Sequence, residues 1–362
     1  MALAEAITNI SGVKHDALNK ISFSANWMSS TKTADEKGDL VRGVQALANM
    51  ADSLNVSVPV GKDSLSMKVN WKEGQSEHTV TSPMTLNISS FSNVNDLNKS
   101  VTPELSDSDT TLLHLWAHSD KYRLGGSALY QSFKLYGGAT PDIDDANQFK
   151  VLFEATQELL DKDFIEALHD ISDGGLITSL IEMALCSNQG LDINLDYSDK
   201  EQVVPKLFSE EIGLVIEVKN EKLESVRNYL NEKELFFENI AKKNDKKKIN
   251  INCFKEEVFS EDLITLFNQW SKVSHEIQKI RDSEDAALAE KEAYENFDKF
   301  LTPEINFVVP KPDKNLFRKR PKIALIREQG INGQYDMAAA LMEAGFEVKD
   351  VHMSEFGSII KD

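Results

Sequence analysis

Apolar residues recur along this chain with two periods, one of three to four residues and one of two, and the succession of these periods predicts its elements. Leu3, Ile7 and Ile10 in MALAEAITNISGVKH stand at helical spacing with no capping residue, linker or strand before them, so the chain reads as cut into at its start. Residues 21–69 pass from a strand-like ISFSANW through a helix rich in small apolar residues, LVRGVQALANMADSL, to the strand-like VSVPVGKDSLSMKV. Beyond the polar turn KEGQSEH, the run TVTSPMTLNISSFS predicts another strand.

Residues 94–110, VNDLNKSVTPELSDSDT, are polar and turn-rich, and a domain boundary is expected near 105. Strands and helices then alternate: TLLHLWAH, the helix GGSALYQSFKLYG, the helix FKVLFEATQELLDKD, the strand FIEALHD and the helix GLITSLIEMALCS. Such alternation predicts an α/β or α+β layered domain. Further on, EEIGLVIEVK reads as a strand and EKLESVRNYLNE as a helix. LFFENIAKK and KKININCF read as edge strands, with the basic cluster KKNDKKK capping a hairpin in solvent.

An amphipathic helix is predicted over 262–281, with Leu263, Leu266, Trp270, Val273 and Ile277 on one face. Residues 282–299 carry seven acids against two lysines and read as a solvated helix or linker. A second boundary is expected within VVPKPDKNLFRKRP. KIALIREQG, YDMAAALMEAGFEV and EVKDVHM then begin a new β-α-β unit, its helix closed by Gly345. A start of that size cannot bury a core, so the chain is expected to be truncated at Asp362 as well as at its beginning.

Composition narrows the classes. A length of 362 residues fits two or three domains, and 41% hydrophobic with 27% charged residues is a globular balance. The 40 Lys+Arg against 59 Asp+Glu leave a formal charge of −19. That charge opposes the counterion-release attraction behind nonspecific nucleic-acid binding, so neither nucleic acid nor an anionic membrane is expected as a partner. Cys186 and Cys253 lie far apart without CxxC spacing, which predicts no disulfide framework, no structural zinc and a reducing cytoplasm. No run approaches the ~20 apolar residues of a membrane span.

Four places hold candidate chemistry. Glu5 and Asn9, four apart, share one helical face and offer two oxygens to a hard cation, or form a plain solvated face. HDISDGGL at 169–176 brings a His, two acids, a Ser and two glycines from a strand end to a helix start. Asp170 or Asp173 is placed to hold a cation, Ser172 to contact a phosphate, and the glycine N–H groups to receive one; the alternative is a tight turn with Asp173 as N-cap. GKDSLSMK sets Lys62, Asp63 and Ser64 beside a strand, suiting an anion or a simple turn; it is not a P-loop. Gly125 and Gly126 before Ser127 mark a second glycine-led helix start or close packing. His114 and His118 share one side of a strand and are expected to be structural.

AEAITNI, SANWM, VPVGKDSLSMK, TSPMTLNISSF, LGGSALYQ, HDISDGGL, EEIGLVIEV and IREQGINGQYDMAAALMEAGFEVKDVHMS together closely resemble the large, glutaminase-fused phosphoribosylformylglycinamidine synthase family of purine biosynthesis, in order along essentially the whole chain. The resemblance implies a multidomain α/β and α+β fold. Residues 1–105 correspond to an aminoimidazole-ribonucleotide-synthetase-like ATP-binding subdomain, the second copy in the family, incomplete at its start. Residues 106–260 correspond to its C-terminal α/β companion, 261–320 to a helical connector, and 321–362 to the truncated start of a class I glutamine amidotransferase. The family is an ATP-dependent C–N ligase. It converts formylglycinamide ribonucleotide, glutamine and ATP to formylglycinamidine ribonucleotide, glutamate, ADP and phosphate.

Residue by residue, the resemblance implies magnesium ligands at Glu5, Asn9 and Asp170 and an ATP or ADP contact at Ser172. A further family ligand, an Asp upstream of the Glu, has no counterpart here. No catalytic residue is implied in this chain, and neither Cys186 nor Cys253 matches the glutaminase nucleophile. The implied role is a fragment that supplies an auxiliary magnesium–nucleotide site, inactive without the first synthetase half and the glutaminase remainder. The alternative is a noncatalytic nucleotide-binding scaffold subunit; other enzymes of the same ATP-binding superfamily lack the amidotransferase start.

Overall fold

Helix α1 (Ala2–Asn9) turns Leu3, Ala4, Ile7 and Thr8 inward, and its burial explains how the first third of the chain is held to the second. The computed structural model describes residues 1–117, 121–195, 200–294, 304–308, 319–328, 331–355 and 357. These fall into two units, Met1–Glu295 and Asn296–Asp362.

In the first unit, strand β1 (Ser22–Met28) leads to helix α2 (Ala34–Leu54), strand β2 (Ser57–Ser64), the hairpin β3 (Lys68–Glu73) and β4 (Ser76–Thr81), and strand β5 (Thr85–Phe91). α2 starts earlier than its apolar pattern predicts, because Thr33 and Glu36 close a reciprocal capping box. The single strand predicted over TVTSPMTLNISSFS is two, broken at Pro83, which has no N–H for a ladder. β1 lies between β2, parallel to it, and β5, antiparallel.

The rest of this unit is built on a seven-stranded sheet. Its elements are β6 (Thr110–Trp116), α3 (Ala128–Ser132), α4 (Ala146–Asp161), β7 (Ala167–Asp170), α5 (Gly175–Ser187), β8 (Gly190–Leu195), α6 (Val203–Phe208), β9 (Gly213–Lys219), α7 (Leu223–Glu232), β10 (Phe236–Asn244), β11 (Lys248–Cys253) and β12 (Glu256–Asp262). The strand order is β12-β11-β8-β10-β6-β9-β7. Every residue of β6 is buried, as an apolar strand covered on both faces must be. Leu113 and Leu115 join a core with α1, α4 and α7, whereas Leu112 joins one with α5, α6 and helix α8 (Leu263–Trp270). The first core also takes in Phe23, Ala51 and Leu54, so the segments on either side of residue 105 share one apolar cluster.

Three expectations change here. β10 and β11 are interior strands, and KKNDKKK does not cap a hairpin, because β8 inserts between them and pairs with both; buried Ile240, Ala241, Ile249 and Ile251 account for this. The edge beyond β11 is instead β12. The helix over 262–281 breaks at Ser271 into α8 and α9 (Lys272–Arg281); Leu263 and Leu266 are buried while Val273 and Ile277 are exposed. The glycine-led helix after Gly126 is one short turn, α3, and helix α10 (Glu284–Tyr294) is acidic and follows α9.

In the second unit, β13 (Lys322–Arg327), α11 (Gln334–Glu343) and β14 (Glu347–His352) form the β-α-β start that the pattern predicts. The two strands are parallel, with Lys322 opposite Glu347, and Gly345 closes the helix at φ +101°. Among the described residues no helix is long and apolar enough to cross a membrane.

Candidate functional site

Because α1 buries Leu3, Ala4, Ile7 and Thr8, its opposite face presents Glu5 and Asn9, one turn apart, to solvent. Facing them is the end of β7, a short strand whose last residue, Asp170, is 8% exposed. A cavity of about 640 Å³ lies between, walled by α1, by Thr85–Ser90 of β5, and by His169, Asp170 and Ser172. Four residues from two separate sequence motifs therefore line one cleft.

The turn after Asp170 is shaped by glycine. Gly174 and Gly175 have φ of +86° and +74°, and a Cβ on Gly175 would lie 2.6 Å from the Ser209 carbonyl oxygen. Gly174, not Asp173, is the N-cap of α5, and it has no side chain with which to cap. Glu210 supplies the acceptor instead: its Oε1 takes the Gly174 N–H at 2.9 Å and the Ala128 N–H of α3 at 2.7 Å. The Gly175 N–H donates to the Ser172 carbonyl at 3.0 Å. Both glycine N–H groups are thus already engaged, so the expected glycine cradle for a phosphate is not open; the Ser172 side chain remains on the cleft wall.

The cleft is acidic. Burial raises the Glu5 carboxyl above its ordinary value and Asp173, Asp170 and Glu210 add to the rise, with partial relief from the N-terminal ammonium. Burial alone would lower His169, but its contacts with Asp170 and Glu182 outweigh that and raise it to about 9. His169 Nε2 is 3.0 Å from Glu182 Oε2, and Nδ1 is 3.3 Å from Asp170 Oδ1 at an angle short of a hydrogen bond. His169 also holds Glu182 below the usual carboxylate range, against burial and with help from Trp270.

Two carboxylates and an amide oxygen, with the His169 ring beside one carboxylate and the N-terminal ammonium near the other, are a donor set for a hard cation that keeps water or phosphate as its other ligands. Among the described residues no three His, Cys, Asp or Glu side chains gather closely enough to enclose a metal by themselves. The donor set fits a magnesium ion shared with a ligand better than a protein-enclosed one.

The other candidates lie elsewhere. Lys62, Asp63 and Ser64 are on β2, across β1 from β5, where the Lys62 ammonium donates to Ser64 Oγ at 3.0 Å; they do not line this cleft. Ser127 caps α3 by accepting the Tyr130 N–H. His114 is buried, 3.2 Å from Glu238 Oε1, and Glu238 Oε2 is 2.5 Å from the Lys206 ammonium, so His114 is a satisfied structural group. His118 lies outside the described residues. Cys253 is buried in β11, and burial, Glu182 and Glu104 raise the Cys186 thiol, which does not suit Cys186 as a nucleophile. Glu182 carries no sequence signal, being an ordinary helix acid, whereas Glu210 and β5 lie in motifs of the family resemblance, EEIGLVIEV and TSPMTLNISSF, from which no site role is read.

Residues 1–93 match the family model of the FGAR-AT PurM_N-like domain, 117–253 that of the AIR synthase related protein C-terminal domain, and 320–359 that of the CobB/CobQ-like glutamine amidotransferase domain. Among solved structures, the chain resembles Thermotoga maritima PurL complexed with ATP, at 16% identity and TM-score 0.53 over 72% of this chain and 39% of that one. It also resembles T. maritima PurL complexed with FGAR, at 15% identity and TM-score 0.50 over 73% of this chain and 43% of that one. At these identities the likeness is one of fold, and the chain spans about two fifths of those proteins' length.

Proposed function

We propose, from successive matches to FGAR-AT PurM_N-like, AIR-synthase-related and glutamine-amidotransferase-like domains, that the chain belongs to the FGAR amidotransferase, or phosphoribosylformylglycinamidine synthase, family and that its first unit holds a magnesium–nucleotide site of an ATP-dependent C–N ligase. The observation that carries the reading is the single cleft in which Glu5 and Asn9 of α1 meet Asp170 and Ser172 after β7. The T. maritima relative was solved with ATP bound, which supports a nucleotide as the occupant.

In this reading the Glu5 and Asp170 carboxylates and the Asn9 amide oxygen hold the cation, and the Ser172 hydroxyl donates to a phosphate oxygen. Magnesium, when bound, neutralises phosphate charge. Glu210 keeps the Gly174 turn closed, so that Asp170 and Ser172 are presented from a fixed backbone. The whole enzyme would activate the amide oxygen of formylglycinamide ribonucleotide with the ATP γ-phosphate, releasing ADP, and ammonia from glutamine would then displace phosphate to leave the amidine. Within that reaction this chain supplies the auxiliary nucleotide site, and the ligase chemistry needs the first synthetase half and a complete glutaminase.

Calorimetric titration of ADP into the chain, with and without magnesium, tests the site. Binding that needs magnesium and weakens about tenfold or more in Asp170→Asn is expected. Binding indifferent to magnesium and to that substitution overturns the assignment.

A further inference from the structure

A string of polar side chains leads away from Asp170 to the surface. His169, its neighbour in β7, stands between two carboxylates, with Nδ1 3.3 Å from Asp170 Oδ1 and Nε2 3.0 Å from Glu182 Oε2. Glu182 lies on α5, and its other oxygen, Oε1, accepts the indole N–H of Trp270 at 2.8 Å. Trp270 is the last residue of α8, which packs on α5 through buried Leu263 and Leu266 just before the chain breaks helix at Ser271.

Each oxygen of Glu182 thus has one partner, on different elements. A carboxylate is planar and rigid, so its orientation towards His169 is fixed by what holds its far oxygen. Trp270 is 55% exposed; its ring stacks on Phe267 at 6.3 Å between centroids, and its indole N–H is directed at Glu182. A cation ligand must keep its orientation closely, and the groups in contact with a ligating carboxylate set it; here the contact is the His169 ring edge, 3.3 Å from Asp170 Oδ1 and electrostatic rather than a hydrogen bond. From α8 the sequence runs on through α9 and α10 towards residues 320–359, the amidotransferase match.

We propose that His169, Glu182 and Trp270 are positioning residues, which tie the orientation of the Asp170 carboxylate to the seating of α8 on α5. The proposal rests on the reading of Asp170 as a ligand in the magnesium–nucleotide site. It adds that the site senses the helix through which the chain leaves the synthetase fold.

The chain has four tryptophans, so labelling with 15N-indole gives four N–H resonances, and the one missing in Trp270→Phe belongs to Trp270. With no ligand present, Glu182→Gln and Asp170→Asn are both expected to move that resonance and to leave that of Trp71, on the distant β3–β4 hairpin, in place. In calorimetry with magnesium and ADP, Glu182→Ala is expected to weaken binding about tenfold and Trp270→Phe about threefold, with Trp71→Phe unchanged. Thermal melts of Trp270→Phe should match the parent, since its ring is largely exposed.

A Trp270 resonance that moves in Glu182→Gln but not in Asp170→Asn shows that the connection stops at Glu182, and it overturns the proposal whatever the calorimetry gives. So does magnesium–ADP binding that is equally tight in the parent and Trp270→Phe. If the parent binds no magnesium–ADP while the Asp170→Asn shift is present, the nucleotide reading of the cleft falls and the coupling of α8 to Asp170 stands.

Discussion

Two regions of the first unit gather carboxylates, and they are treated in opposite ways. Glu217, on β9, is wholly buried and fully paired: its oxygens accept from the Ser106 N–H, the Ser106 and Thr110 hydroxyls and the Lys243 ammonium at 2.8 Å. Lys243 also donates to the Ser108 carbonyl, so this one cluster pins the link around residues 105–109 to the sheet. In the cleft, burial first and then Asp173, Asp170 and Glu210 raise the Glu5 carboxyl, against the N-terminal ammonium. A buried acid with both oxygens accepting hydrogen bonds is structural, whereas acids left facing one another across a cavity are costly unless something positive completes them.

The sharpest way to break this contrast is Glu217→Ala. It strands the Lys243 ammonium, and unfolding by urea should show a loss of about 3–5 kcal/mol. A loss under about 1 kcal/mol would mean the cluster is no anchor.

His169 gives the next largest effect, and its sign can be fixed. Its folded pKa, about 9, lies above its ordinary 6.5. The charged form is therefore favoured by folding, with the stabilisation complete below about pH 6.5 and lost as pH rises through about 9. Without magnesium, stability should fall across that window at a slope of at most about 1.4 kcal/mol per pH unit, and His169→Asn should flatten the fall. An unchanged slope in the variant would remove His169 as its source.

Glu5→Gln sharpens the contrast from the other side. Losing a repelled carboxylate should stabilise the free chain by about 0.5 kcal/mol, discounted for the exposure of that residue, while magnesium–ADP binding is lost. A destabilised variant would show that Glu5 is not under repulsion. The smallest effect belongs to a carboxylate that is paired but fully in water: Glu77, 2.7 Å from Lys72 on the β3–β4 hairpin. Lys72→Ala should cost under about 0.5 kcal/mol, and a larger cost would undo the ordering by burial.

The sequence speaks clearly where the signal is local. The four-residue spacing of Glu5 and Asn9, the strand that ends at Asp170 and the glycines after it are each read within a single window, and the structure sets both windows on one cleft. TLLHLWAH is legible as a strand buried on both faces because its apolar run is continuous. What depends on distant partners is not legible. Nothing near Gly174 shows that Glu210 will occupy its N–H, and nothing near His169 points to Glu182 or Trp270. KKNDKKK has a hairpin's composition, yet a strand from far upstream takes the place between its flanks. Val273 and Ile277 repeat at helical spacing but are exposed among the described residues.

The insertion of β8 between β10 and β11 also bears on the order of assembly. Two successive antiparallel strands would ordinarily zip together within microseconds, but here Gly190–Leu195 must arrive first or be threaded in, and the pairing it makes with each flank spans a long stretch of sequence. Sheets closed by such distant pairings fold slowly. On a ribosome, residues 110–195 would wait with an unfinished sheet edge until β11 had been released, and that is the interval in which a chaperone would be needed most.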